Sequence, residues 1–237
     1  MKKIILLVSI CICMILATLD LYNDLSKEES ILNYQLYTEP KRKDGEYKEY
    51  YRNGNLAVES CYRNGMLHGV SKFYYINGNI KQVDLYVYGK LCGISRSYYE
   101  DGQLESTCVF HKGRLNGPWE VYYKNGNLRE KGYYIDDSLY GWHGHYYENG
   151  SLEMETCYKS GKLNGYYREY YKDGTLKFDG FYEGDSLSGV ARSYYPDGKI
   201  KEKNVYYMGK LYGRCERYRE DGTLSGVILY KDGERIE

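Results

Sequence analysis

Pairs of adjacent tyrosines recur every 24 residues without a single insertion: Tyr50-Tyr51, Tyr74-Tyr75, Tyr98-Tyr99, Tyr122-Tyr123, Tyr146-Tyr147, Tyr170-Tyr171 and Tyr194-Tyr195, with a decayed copy at Tyr218-Arg219. A strict period of this length restricts the chain to a stack of equivalent units, each seated on its neighbour in the same way. Every one of the eight copies continues into Asn-Gly or Asp-Gly, from Asn53-Gly54 to Asp221-Gly222. Between β-prone runs these dipeptides predict a tight hairpin, because they tolerate the positive φ angles of such turns.

After the turn comes a branched aliphatic residue, from Leu56 to Leu224, and six positions later an aromatic, from Tyr62 to Tyr230. An even separation predicts that both lie on one face of an extended strand, with Glu153, Glu155, Lys201 and Lys203 among the polar residues on the other. A wider connection, typically Gly-Lys-Leu-x-Gly as at 161–165, closes each unit and places a leucine column from Leu67 to Leu211 over the apolar face. Asp137 and Asp185 stand where this motif has its first glycine, a mild departure, since Asp also accepts left-handed geometry. The fold expected is all-β: an elongated antiparallel sheet or solenoid of tandem 24-residue hairpins, about sixteen strands at two per copy, preceded by an N-terminal hydrophobic helix.

That helix is expected in residues 1–20, where Lys2 and Lys3 precede an uncharged run from Ile4 to Leu19. The pattern is that of a signal peptide or a short signal anchor, and it places the remainder of the chain outside the cytoplasm, in the envelope or secreted. Residues 21–44 read as a tether with a degenerate capping strand at Leu32 to Tyr37, and 45–237 as eight tandem repeats. Beyond residue 20 there are five cysteines, an odd number without regular spacing, so they read as small apolar side chains and not as a disulfide framework.

A unit such as Tyr146-Tyr147-Glu148-Asn149-Gly150-Ser151-Leu152, closing with Tyr158-Lys159-Ser160-Gly161-Lys162-Leu163-Asn164-Gly165, resembles the bacterial MORN-repeat variant over roughly Gly45 to Gly233. The resemblance implies elongated sheets of successive hairpins. It also brings two functional expectations: antitoxin activity of the YwqK type, and membrane attachment or protein scaffolding. An antitoxin acting on a cytoplasmic toxin fits poorly with an export segment.

With 33 basic and 33 acidic side chains the chain is formally neutral, which excludes the positive field needed to draw in nucleic acid or an anionic lipid surface. Catalytic patterns are also missing. Each Gly-Lys pair is followed by leucine or isoleucine instead of the Ser or Thr of a phosphate-binding loop, and no Gly-x-Ser-x-Gly or His-Glu-x-x-His occurs. His143 and His145 share a strand face but lack a third ligand, so no metal and no cofactor is expected. The chain is therefore read as a non-enzymatic protein-binding or scaffold module, membrane-tethered through its N-terminal segment. Carbohydrate or cell-wall binding is the alternative from another class, and antitoxin activity the alternative from the family. Partner contacts are expected where the first strands of the central copies break the repeat pattern, at Trp119, Trp142, His143, His145, Tyr166 and Tyr167.

Overall fold

The computed structural model describes residues 42–236; the expected helix in 1–20 and the expected capping strand at Leu32 to Tyr37 lie outside them. Among the described residues, twenty-one strands form one antiparallel sheet. Sixteen of these have six to nine residues, two per copy, and they pair in chain order as a meander. In the fifth copy, for example, Gly141–Tyr146 pairs with Leu152–Lys159, which pairs in turn with Lys162–Tyr170 of the sixth.

The two kinds of turn exchange the roles expected of them. At Asn-Gly or Asp-Gly only the glycine is left-handed, with φ of 83–91°. The residue before it instead uses its side chain, accepting the backbone N–H two positions on in all eight copies at 2.8–3.2 Å. That is an Asx turn, which Asn and Asp make with their short acceptor. The tight two-residue hairpin lies at the other rim, in the connection that sequence made the wider one. There both central residues are left-handed, at 46–57° and then 66–90°, as a type I′ turn demands. Asp137 and Asp185 adopt this geometry at φ 66° and 68°, and each adds a bond that glycine cannot make: their carboxylates accept the N–H of Leu115 at 2.7 Å and Leu163 at 2.8 Å.

A β-bulge at the second residue of each return strand overturns the expected facing. In the fifth copy Tyr146 opposes Leu152 and His145 opposes Met154, leaving Glu153 as the extra residue; the same shift occurs in all eight hairpins. A bulge interrupts alternation. Leu152 consequently shares a face with Tyr146, while Met154, Thr156 and Tyr158 share the opposite face with His145, so the aliphatic and aromatic columns lie on opposite sides of the sheet. Because every copy carries the bulge, the 24-residue period is undisturbed.

The buried side is the face bearing the aromatic column. Its central row, read strand by strand, runs Ser60, Ser71, Asp84, Ser95, Cys108, Trp119, Gly132, His143, Thr156. All nine are buried, with Ser71 and Thr156 at 1% exposure and Trp119 and Asp84 at 2%. Size alternates where rings enter the row: Gly132 lies between Trp119 and His143, and a Cβ there would meet the His143 ring at 3.2 Å. Asp84 is held by neutral donors, Ser95 Oγ at 2.5 Å, Gln82 Nε2 at 2.8 Å and Tyr86 Oη at 3.4 Å. Burial raises its pKa, the donors offsetting only part of the cost. The same environment pushes the Cys108 thiol up to about 12, so it is an inert core side chain.

Both rims are stitched from copy to copy. The second tyrosine of each pair sits just past its strand and reaches across its own return strand, donating its hydroxyl to the carbonyl of the first tyrosine in the next copy. Seven such bonds run from Tyr51 to Tyr195 at 2.6–2.9 Å. In the last copy Arg219 occupies this place and reaches Thr223 instead. At the opposite rim the N–H of the second turn residue donates to the leucine carbonyl of the preceding copy, from Gly89 on Leu67 to Gly233 on Leu211, at 2.8–3.0 Å.

Tyr147→Phe removes one such stitch and is expected to lower stability by about 1 kcal/mol in urea unfolding. Tyr146→Phe, on the other face, should stay within ~0.5 kcal/mol. For Asp84, whose folded pKa lies above its unfolded value, stability is higher in acid and is lost as pH rises through the folded value. Asp84→Asn should therefore flatten this limb of the stability–pH curve, measured by thermal unfolding at successive pH values.

Candidate functional site

The outer face carries two parallel lanes that cross the strands. Nearer the Asx turns runs a lane rich in charge. Glu59 meets Lys48 at 3.2 Å and Lys72 at 3.4 Å, Glu120 meets Lys131 at 2.9 Å, Glu155 meets Arg168 at 3.0 Å, and Asp179 meets Arg192 at 3.0 Å. First tyrosines of the pairs donate into the same acids, Tyr74 to Glu59, Tyr170 to Glu155 and Tyr194 to Asp179. Exposed pairs of this kind stabilise little. Their consequence is that charges cancel locally in the middle of the lane, while Arg96 stands between Val83 and Thr107 and Arg192 beside Lys203.

Beside it, toward the tight turns, runs an apolar lane made by the paired positions Val70 and Leu85, Ile94 and Val109, Pro118 and Tyr133, Trp142 and Cys157, Tyr166 and Phe181, and Val190 and Val205. Alternation places it on the face opposite the buried row. Val70, Leu85, Ile94, Tyr133, Trp142, Tyr166, Phe181 and Val190 are 37–60% exposed. Single exposed apolar residues are ordinary, but an unbroken row of them marks an interaction surface.

Trp142 is the best-defined side chain of the lane. Position 144, in the charged lane, is glycine with an ordinary extended backbone, and a Cβ there would meet the indole at 2.3 Å. The ring thus lies flat along its own strand, with Nε1 donating to Glu155 at 3.1 Å. Glu155 also accepts from Arg168 at 3.0 Å and Tyr170 at 2.8 Å. Partial burial opposes its charge, yet these donors outweigh it and hold the carboxyl below the usual carboxylate range. Arg168 is also stacked over the Tyr166 ring, 5.2 Å from its centroid. Tyr166 packs edge-on against Phe181 at 5.6 Å.

The six residues singled out in the sequence therefore separate. Trp142 and Tyr166 stand in the outer lane. Trp119 and His143 are buried in the inner row, their rings stacked at 6.1 Å. Tyr167 also lies on the inner face and donates to Glu169 at 2.7 Å. His145 bonds Glu153 at 2.8 Å, whereas His143 lies 3.8 Å from the buried Glu130. Each histidine thus has its own carboxylate, and among the described residues no group of three or more His, Cys, Asp or Glu converges on a metal position. Burial works against ionisation of Glu130, but His143 and the Arg129 guanidinium at 3.3 Å keep its carboxyl below the ordinary range. Among the described residues, Trp119 Nε1 and His143 Nδ1 have no hydrogen-bond partner.

Sequence reasoning missed Tyr133, Phe181, Gly144, Glu155 and Arg168 as members of the outer site. Gly144 carried a legible signal, being a glycine outside either turn and two positions from a tryptophan.

A meander of equivalent hairpins, stitched at both rims, defines a tandem-hairpin repeat protein. The MORN repeat variant model matches residues 43–64, 67–88, 91–112, 115–136, 145–160, 163–183 and 187–207, more than half of the chain, and the protein belongs to that family. The eighth hairpin, Gly213–Tyr218 with Leu224–Lys231, has the same pairing but falls outside these matches. A search of curated proteins returned no match. Family membership makes this a repeat-based binding or scaffold module.

Gly144→Ala should lift the indole from its strand. The expected outcome is loss of the Trp142 contribution to near-ultraviolet circular dichroism and greater quenching of its fluorescence by acrylamide, with the far-ultraviolet spectrum retained.

Proposed function

We propose that this chain is a non-enzymatic protein-binding scaffold, exported and tethered to a membrane through residues 1–20, which presents the outer face of its sheet to a protein partner. The observation that carries this reading is the unbroken apolar lane with Tyr133, Trp142, Tyr166 and Phe181 at its middle. Aromatic anchors of this type dominate interface energetics, and the charged lane alongside supplies a polar rim. The apolar segment after Lys2 and Lys3 supports tethering.

Carbohydrate binding is favoured by one observation, the flat and exposed Trp142 ring beside Glu155 and Arg168. The two readings separate in a single comparison. Envelope fractions are expected to contain the chain, and gentle cross-linking there should capture a protein partner that Trp142→Ala loses by at least tenfold. Retention on polysaccharide abolished by the same substitution would favour the sugar instead. Recovery of the chain from the cytoplasm would remove export and revive the antitoxin reading.

A further inference from the structure

We infer that the apolar lane seats a second copy of this chain, turned end for end, so that the outer faces of two sheets pack against each other. This deepens the scaffold reading and rests on it, since it names the partner that the same surface takes.

The first argument is size. Eight side chains exposed to this degree present on the order of 700 Å² of contiguous apolar surface, beyond the ~300–600 Å² of the largest patch on an ordinary monomer. It approaches the ~800 Å² per partner that a stable interface buries. Two sheets meeting face to face bury such a surface at a separation of about 10 Å.

The second argument is symmetry. A two-fold interface brings each residue of the patch against the patch read backwards, so the lane must be its own complement. Centred on Cys157, it reads Tyr133, Trp142, Cys157, Tyr166, Phe181, one residue per strand, with two aromatics on either side of the smallest member. Turned end for end, Trp142 of one copy meets Tyr166 of the other and Tyr133 meets Phe181, while the two Cys157 side chains face each other at the axis, where a bulky residue would hold the sheets apart. Outside the aromatics both arms are aliphatic, Val109 on one side matching Val205 on the other. One position breaks the match, Arg214 standing opposite Ile94 near the ends of the lane.

The third argument is charge. In the middle of the neighbouring lane, from Glu120 to Arg192, acids and bases follow one another with only Gly144 between them, and their pairs are closed within the chain, so little net charge opposes a like copy.

The test is the mass of the full-length chain in mild detergent, by sedimentation velocity. The wild type is expected to be a dimer. Tyr166→Glu, which places an unpaired charge in the lane, is expected to be a folded monomer, and Tyr166→Phe should restore the dimer. Geometry is tested separately with a thiol cross-linker that spans about 10 Å, the separation of two packed sheets. A single chain has one Cys157, so the linker should join it to its counterpart across the axis and give a covalent dimer that Cys157→Ser reduces at least tenfold. A wild-type monomer, or a folded Tyr166→Glu dimer, overturns the inference. If the wild type is a monomer that captures another protein through Trp142, the scaffold reading stands and only the self-association falls. If it is a monomer that captures nothing, both fall, and the same follows if Trp142 fluorescence shifts only on adding neutral phosphatidylcholine vesicles.

Discussion

A sheet with one layer has no second layer to bury against, and this lack governs the rest of the molecule. Backbone ladders satisfy the peptide groups, but only strand neighbours are there to cover the inner row, and the outer lane stays exposed. The chain meets the problem at its rims. Tyrosine hydroxyls at one rim and turn amides at the other bond to the next or preceding copy, so each hairpin is held by its neighbours through contacts beyond strand pairing. Each bond contributes only about 1 kcal/mol, yet the same bond recurs at every step, and stability of this kind is the sum of nearest-neighbour terms.

With the rims fixed, the inner face needs little bulk. Serines, threonine and glycine fill much of its central row, and the large rings enter only where a glycine beside them leaves room, as Gly132 does between Trp119 and His143. The departures from the repeat pattern in the central copies thus have two distinct meanings. Trp119, His143 and Tyr167 belong to the packing of the inner face. Trp142 and Tyr166, one residue earlier in their strands, belong to the surface. Neighbouring positions in sequence diverge in role because a strand sends them to opposite sides.

The period, the hairpins and the antiparallel sheet were legible from the tyrosine pairs and the Asn-Gly or Asp-Gly that follow them. Turn types were not, because the dipeptide alone leaves open whether asparagine contributes its backbone angle or its side-chain acceptor. Facing was misread for a different reason. A bulge present in every copy leaves the spacing intact, and the even separation between Leu152 and Tyr158 conceals the reversal between them. The outer lane was half visible: Trp142 and Tyr166 stood out as exceptions, whereas Tyr133 and Phe181 lie on return strands, where an aromatic neighbour in the tyrosine column masks them.

The orientation of the backbone bonds has a mechanical corollary. Strands run across the long axis of the repeat array, so their interstrand hydrogen bonds point along it. Tension applied between the two ends loads these bonds one rung after another, as in a zipper, and never all together in shear. The array yields hairpin by hairpin under modest force, each released copy lengthening the chain by 24 residues, and it behaves as an extensible spacer more than as a stiff rod.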